Sequence, residues 1–198
     1  MLETLSNLDT QLFLFFNRNT SPFWDIIMYY GTLKYTWIPL YLFILFGIGR
    51  KYKLQTILIV IFIALLITMT DQLSMFSKEL FERWRPCRDP ELGPFINLYQ
   101  GKCGGRFGFF SAHAASSFGL AYFTSRLFKR RWFTISIFVW ASFVAYTRVY
   151  LGSHFPGDII VGAIAGIIIG WINIKLLFLF PIKQEKRREH VVYKLNNY

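Results

Sequence analysis

The chain has 198 residues, the size of a single domain. Its 22 Lys and Arg against 11 Asp and Glu give a formal charge of +11, yet 54% of residues are hydrophobic, 20% aromatic and only 17% charged. That balance excludes a disordered basic tail, which would be poor in aromatics, and the long apolar runs exclude a soluble nucleic-acid module.

Met1–Thr10 carries Glu3 and Asp9 and no basic residue, so the positive start of a cleavable secretory signal is missing. Leu5, Leu8, Leu12, Phe13, Phe15 and Phe16 recur among polar residues and predict a helix lying in the membrane interface, with a sixth span as the alternative. Five spans follow, at 34–49, 54–77, 109–127, 132–149 and 157–180, because stretches near 20 residues suit a hydrocarbon slab of ~30 Å. Leu54–Thr70, Phe107–Ser125 and Trp132–Thr147 hold no Asp, Glu, Lys or Arg, and Ile159–Ile182 holds only Lys175. The first span is the weakest. Tyr35–Gly49 is short and contains Pro39, so it is expected to borrow residues from Ser21–Leu33 and to bury or cross Lys34. The fold class is therefore all-α, a polytopic transmembrane bundle of five to six spans. No internal repeat or long linker divides it, so 1–198 is read as one domain.

Basic clusters orient the bundle. Arg50, Lys51 and Lys53 fill one turn, Arg126, Lys129, Arg130 and Arg131 another, and Lys183, Lys186, Arg187, Arg188 and Lys194 the tail at 183–198. Alternating spans place all three on one side, which the positive-inside rule makes cytoplasmic. The segment 78–110 then faces outward although it carries Lys78, Arg83, Arg85, Arg88, Lys102 and Arg106. Anion binding is a reason for such a loop. Cys87 and Cys103 fall in the same segment and are either a disulfide, closing a loop of about 17 residues worth roughly 3 kcal/mol, or two unrelated buried thiols.

Three segments converge on the outer ends of the spans. Lys78 and Arg85-Pro86 close the second, Ser111-Ala112-His113 opens the third, and Arg148, His154 and Asp158 join the fourth to the fifth. Three cations and two histidines suit a phosphate, with lysine as a point charge and each arginine as a planar fork. Pro156 fits the first turn of a helix, and Asp158 is one turn from His154, close enough to orient one imidazole nitrogen and leave the other nucleophilic. Ser111 reads as a helix N-cap, and His113 just inside that helix is placed to protonate a leaving oxygen. Asp71, inside a span, is expected to orient Lys78 or Arg148 or to pair with another cation. Arg83, Arg88, Lys102 and Arg106 either contact lipid headgroups or join the site, with Arg106 carried as a supporting residue.

These segments resemble the signature of the type 2 phosphatidic acid phosphatase superfamily, K-x6-R-P, P-S-G-H and S-R-x5-H-x3-D. Lys78, Arg85 and Pro86 match the first motif in full. Ser111 and His113 match the second, with Phe110 for proline and Ala112 for glycine; Arg148, His154 and Asp158 match the third, with Thr147 for serine. The resemblance implies hydrolysis of a lipid phosphate or diphosphate with no metal and no cofactor. It makes His154 the nucleophile, Asp158 its orienting partner and His113 the proton donor, with Lys78, Arg85, Ser111 and Arg148 binding the phosphate. The expected partners are a membrane lipid and the bilayer, with no nucleic acid and no obligate protein partner. The expected location is a bacterial cytoplasmic membrane with the site facing outward. Within the family, undecaprenyl diphosphate is the expected substrate, with phosphatidylglycerol phosphate, phosphatidate and lipid A phosphates as alternatives. Transfer of the phosphoryl group to an acceptor lipid, and non-catalytic lipid-phosphate binding, are the rival activities.

Overall fold

A computed structural model describes residues 2–18, 20–101 and 103–181; the basic tail at 183–198 and Lys102 lie outside them. Among the described residues seven α-helices form the bundle: α1 (Leu2–Arg18), α2 (Pro22–Thr32), α3 (Ile38–Tyr52), α4 (Thr56–Phe81), α5 (Ala112–Phe128), α6 (Arg131–Tyr150) and α7 (Pro156–Leu177). The described residues contain no β-strand, only one isolated antiparallel bridge between Trp84 and Phe107.

Among the described residues three helical stretches are long and apolar enough to cross a membrane: Lys34–Phe81, which joins α3 to α4, Arg131–Tyr150 and Pro156–Leu177. The bundle is that of an integral membrane protein, but the expected count of five to six is not reproduced by length and composition. The helix α5 has 17 residues, about 25 Å of rise, and Ser and Thr among its buried side chains. It is wrapped by protein on most sides, which relaxes the demand for apolarity. The expected weakness of the first span has a structural counterpart. Its helical path is broken between α2 and α3, where Leu33 is extended and Lys34–Trp37 forms a short 3-10 turn. The indole of Trp37 donates to the carbonyl of Gly31 at 2.8 Å across that break.

The helix ends alternate. At one end Lys51 Nζ and Tyr52 Oη donate to the carbonyl of Leu127 at 2.7 and 2.9 Å, and Gln55 Nε2 donates to that of Pro181 at 2.9 Å. Two of the basic clusters therefore meet at one end, where Lys51 and Tyr52 satisfy a terminal carbonyl of α5. At the other end Ser74 of α4 donates to the carbonyl of Phe110 at 2.8 Å, and the amide of Ser111 donates to the carbonyl of Asp158 at 3.1 Å. There α2 is tied to α6, because Tyr150 Oη donates to Asp25 at 2.8 Å and accepts the amide of Ser21 at 3.3 Å.

The closest helix pair is α5 with α7. Gly162, Gly166 and Gly170, spaced four apart on α7, lie against Ser111, Ala115 and Gly119 on α5. A Cβ at Gly162 would sit 2.7 Å from the Ser111 carbonyl oxygen, and one at Gly170 would sit 2.8 Å from that of Gly119. Small residues let two backbones touch where lipid gives no hydrophobic drive for association. Gly166, whose Cβ would strike the backbone of Ala115, is the tightest point. Gly166→Val is expected to lower stability by about 1–3 kcal/mol or more and to reduce activity with it. A detergent melting curve alongside an activity assay checks this; an unchanged melting temperature would contradict the packing argument.

The helix expected in the interface is present and amphipathic. Phe13 and Asn17 of α1 are buried, while Leu8, Leu12 and Phe15 are exposed. Asn17 is a hub, donating to the carbonyls of Tyr150 at 2.9 Å and Asn97 at 3.1 Å and accepting the amide of Asn97 at 2.9 Å.

Candidate active site

The segment between α4 and α5 is shaped before it reaches the site. The amide of Arg85 donates to the carbonyl of Arg106 at 3.1 Å and that of Gly108 to the carbonyl of Arg83 at 2.8 Å, so 83–85 and 106–108 run side by side. Cys87 and Cys103 are joined as a disulfide across the same segment. The turn after α6 uses Gly152 at φ +74°, where a Cβ would also strike Ile96. It carries the chain to His154, and Pro156 then opens α7. The amide of Phe155 donates to Asp158 Oδ2 at 3.1 Å, so the carboxylate caps its own helix.

That cap fixes the aspartate beside the histidine. His154 and Asp158 are both buried, and Nδ1 of His154 lies 3.4 Å from Asp158 Oδ2. On the other side of the ring, Nε2 lies 3.2 Å from Nη1 of Arg85. A guanidinium has no lone pair to offer, so Nε2 is the accepting nitrogen and the ring proton sits on Nδ1, toward the carboxylate. An unprotonated Nε2 is the nucleophilic atom of such a pair. Burial first, then the positive charges of Arg85, Arg148 and Lys78, hold the imidazole neutral well below its usual pKa.

Arg85 is itself buried and braced. Its Nε donates to the carbonyl of Phe107 at 3.1 Å and its Nη1 to that of Ser153 at 3.3 Å. Arg148 donates from Nη1 to Oγ1 of Thr32 on α2 at 2.7 Å, while its Nε is buried with no partner. Lys78 is within electrostatic reach of Arg85, Arg148, Asp71 and Asp158. His113 feels Arg148, His154, Arg85 and Lys78 in the same way. Ser111 is the N-cap of α5, its Oγ accepting the amide of Ala114 at 3.5 Å. The seven candidate site residues Lys78, Arg85, Ser111, His113, Arg148, His154 and Asp158 are thus gathered at one end of the bundle. The supporting residues divide. Asp71 lines the cavity below the site. Arg106 lays its guanidinium on the ring of Trp84 at 4.2 Å and serves Arg85 through its backbone carbonyl rather than its charge.

The cavity encloses about 730 Å³. Lys34, Asp71, His113, Arg148 and Ser153 contribute polar lining, and Tyr29, Tyr35, Trp37, Tyr41, Tyr99 and Trp140 give it aromatic walls. It combines cationic side chains with a largely apolar lining, which suits a phosphorylated amphiphile.

Three residues of this region, Gly108, Thr32 and Asp9, escaped the sequence reading of the site, while Arg83, left open between headgroup contact and the site, reaches it. Gly108 touches the core of the site, because a Cβ there would lie 3.2 Å from both Arg85 Cγ and Asp158 Oδ2 and 3.5 Å from His154 Nδ1. Thr32 anchors Arg148. Arg83 donates from Nη1 to Asp158 Oδ1 and from Nη2 to Asp9 Oδ2, each at 2.7 Å. A glycine and a threonine leave no chemical signature in a sequence, and Arg83 was one cation among several.

Residues 56–181 match the profile of the PAP2 superfamily. The lipid A 4'-phosphatase of Bacteroides thetaiotaomicron is 46% identical over 176 residues, covering 87% of this chain and 78% of that protein. The lipid A 4'-phosphatase of Porphyromonas gingivalis is 34% identical over 171 residues, covering 85% and 72%. Among solved structures, LpxE of Aquifex aeolicus superposes with a TM-score of 0.67 at 26% identity, covering 85% of this chain and 95% of that one. A PAP2-type phosphatidylglycerolphosphate phosphatase of Bacillus subtilis shares the fold, with a TM-score of 0.66 at 21% identity over 92% and 90% of the two chains.

Proposed function

Because the chain belongs to the PAP2 superfamily and is a metal-independent membrane lipid phosphatase, we propose that it removes a phosphate monoester from the sugar of a lipid A-type glycolipid. The observation that carries the chemistry is the buried His154–Asp158 pair with Nε2 turned toward Arg85. Both relatives above 30% identity are lipid A 4'-phosphatases, and neither is an undecaprenyl diphosphate phosphatase, so the carrier-lipid substrate expected from sequence is replaced. The aromatic cavity wall agrees with a sugar headgroup, since aromatic faces stack on apolar sugar surfaces.

In this reading Nε2 of His154 attacks phosphorus as the P–O ester bond breaks, and His113 gives its proton to the departing sugar oxygen. Water then attacks the phosphohistidine, the P–N bond breaks, His113 takes a proton from the water and inorganic phosphate leaves. Lys78, Arg85, Arg148 and the hydroxyl of Ser111 stabilise the charge spread over the equatorial oxygens. Helices α3 to α7 are the five spans, with the end at Lys51 and Leu127 cytoplasmic by the positive-inside rule and the site on the outer face of the cytoplasmic membrane.

Purified protein in EDTA is expected to release phosphate from bisphosphorylated lipid A at least about tenfold faster than from undecaprenyl diphosphate or phosphatidylglycerol phosphate. Mass spectrometry of the product should place the loss at the 4' position. Faster turnover of undecaprenyl diphosphate would restore the expectation drawn from sequence, and release only with an added acceptor lipid would indicate a phosphotransferase.

A further inference from the structure

The buried carboxylate that faces His154 has a second side. While Asp158 Oδ2 takes the amide of Phe155 and faces Nδ1 of His154, Oδ1 takes Nη1 of Arg83 at 2.7 Å. Arg83 also donates from Nη2 to Asp9 Oδ2 at 2.7 Å, and Asp9 Oδ1 accepts the amide of Gly157 at 2.7 Å. The guanidinium lies over the ring of Phe155 at 4.3 Å. Gly157 has no side chain where Asp9 needs space, since a Cβ there would lie 2.7 Å from Asp9 Oδ2. The contacts of Arg83 and Asp9 join three parts of the chain: α1, the segment after α4, and the first turn of α7.

We propose that Asp9 and Arg83 are positioning residues for the catalytic pair, and that α1 is therefore a working part of the active site. The proposal rests on the reading of His154 as nucleophile and Asp158 as its partner. Each member of the chain has a distinct task. Arg83 and the Phe155 amide hold the two oxygens of Asp158 and so fix the plane of the carboxylate. That plane decides how Oδ2 is presented to Nδ1 of His154. The two atoms are 3.4 Å apart and Nδ1 is buried without a hydrogen-bond partner, so the tilt of the carboxylate sets whether a hydrogen bond can close between them.

Asp9 sets the charge. An arginine against Asp158 alone would cancel the negative charge that must stabilise the ring when Nε2 binds phosphorus and the imidazole becomes cationic. A second carboxylate shares the arginine and leaves the Asp9–Arg83–Asp158 group with one net negative charge beside Nδ1. Buried or half-buried charges that are shared in this way interact strongly because water does not screen them. The phosphate itself is met by other residues, so the two positioning residues should govern the rate of phosphoryl transfer and not substrate affinity.

Asp9→Asn keeps the size and can still accept the Gly157 amide through its one carbonyl oxygen, while it removes the charge and the acceptor for Arg83 Nη2. It is expected to lower kcat about tenfold with KM within twofold of wild type, and to slow phosphoenzyme formation by the same factor. Arg83→Gln is expected to lower kcat about 100-fold, again with little change in KM. Asp9→Glu, which restores the carboxylate, should recover most of the Asp9→Asn loss. Melting temperatures in detergent, with bisphosphorylated lipid A as the assayed substrate, separate a positioning role from failure to fold. Wild-type kcat in Asp9→Asn, or losses that track the melting temperature and raise KM, would overturn the proposal. His154→Ala is run in parallel. If it retains activity, the reading of the catalytic pair fails; if it is inactive while Asp9→Asn is unchanged, only the role of α1 fails.

Discussion

Replacing His154 with alanine is expected to reduce phosphate release by roughly 10⁴-fold or more, as for the loss of a catalytic nucleophile elsewhere. The argument is geometric. Nδ1 faces the capped carboxylate of Asp158, and Nε2 is left to accept from Arg85, in the place where a phosphate would come to lie. Among the described residues His113 is the other imidazole, and it stands on α5, where the proposed mechanism gives it the leaving group. The substitution removes a buried ring next to Gly108, so the variant should be checked by melting in detergent before its activity is scored. Acid-sensitive incorporation of labelled phosphate into the wild type, absent from His154→Ala and increased when the hydrolysis step is slowed, would identify the intermediate. Turnover within tenfold of wild type would remove His154 from the chemistry.

Arg85→Lys is the second large effect, with an expected loss of about 10²–10³-fold in kcat, the typical result of removing one well-placed donor from a developing anion. Lysine keeps the charge but not the fork. Arg85 uses Nε on the carbonyl of Phe107 and Nη1 on that of Ser153, and it still presents Nη1 to His154. One ammonium cannot hold both carbonyls and meet the phosphate. The buried carbonyls left without partners should also lower the melting temperature, since each costs about 1–3 kcal/mol. A loss smaller than about tenfold would mean that charge alone suffices at this position, and that the bracing is structural.

Most of the motif residues were legible because they combine an ionisable group with a fixed offset from a helix end, and helix ends are visible where apolar runs stop; Ser111 was legible as a helix N-cap. The expected spans 54–77, 132–149 and 157–180 fall on α4, α6 and α7 to within a few residues. The first span was harder to read because α2 ends at Thr32 and the 3-10 turn Lys34–Trp37 separates it from α3, so the helix before the span does not run on into it. The contribution of α1 was invisible for a different reason. Asp9 is distant in sequence from Arg83 and Asp158, and nothing in an amphipathic segment announces that one of its polar residues will close an ion-pair chain. The glycines of α7 were plain in the sequence, but only the backbone of α5 against them shows what their spacing is for.

The glycine seam has a consequence for how such a protein changes over evolutionary time. By locking α5 against α7 it makes a rigid block that carries His113, Asp158 and the turn with His154. The opposite side of the cavity comes from α2, the 3-10 turn after it, α3 and α4, through Tyr29, Trp37, Tyr41, Ile63 and Ile67. Substitutions there can reshape the room offered to a lipid without moving the reacting atoms. Innovation in substrate is thereby uncoupled from preservation of chemistry, and a lineage can acquire a new lipid by repainting one wall of the room.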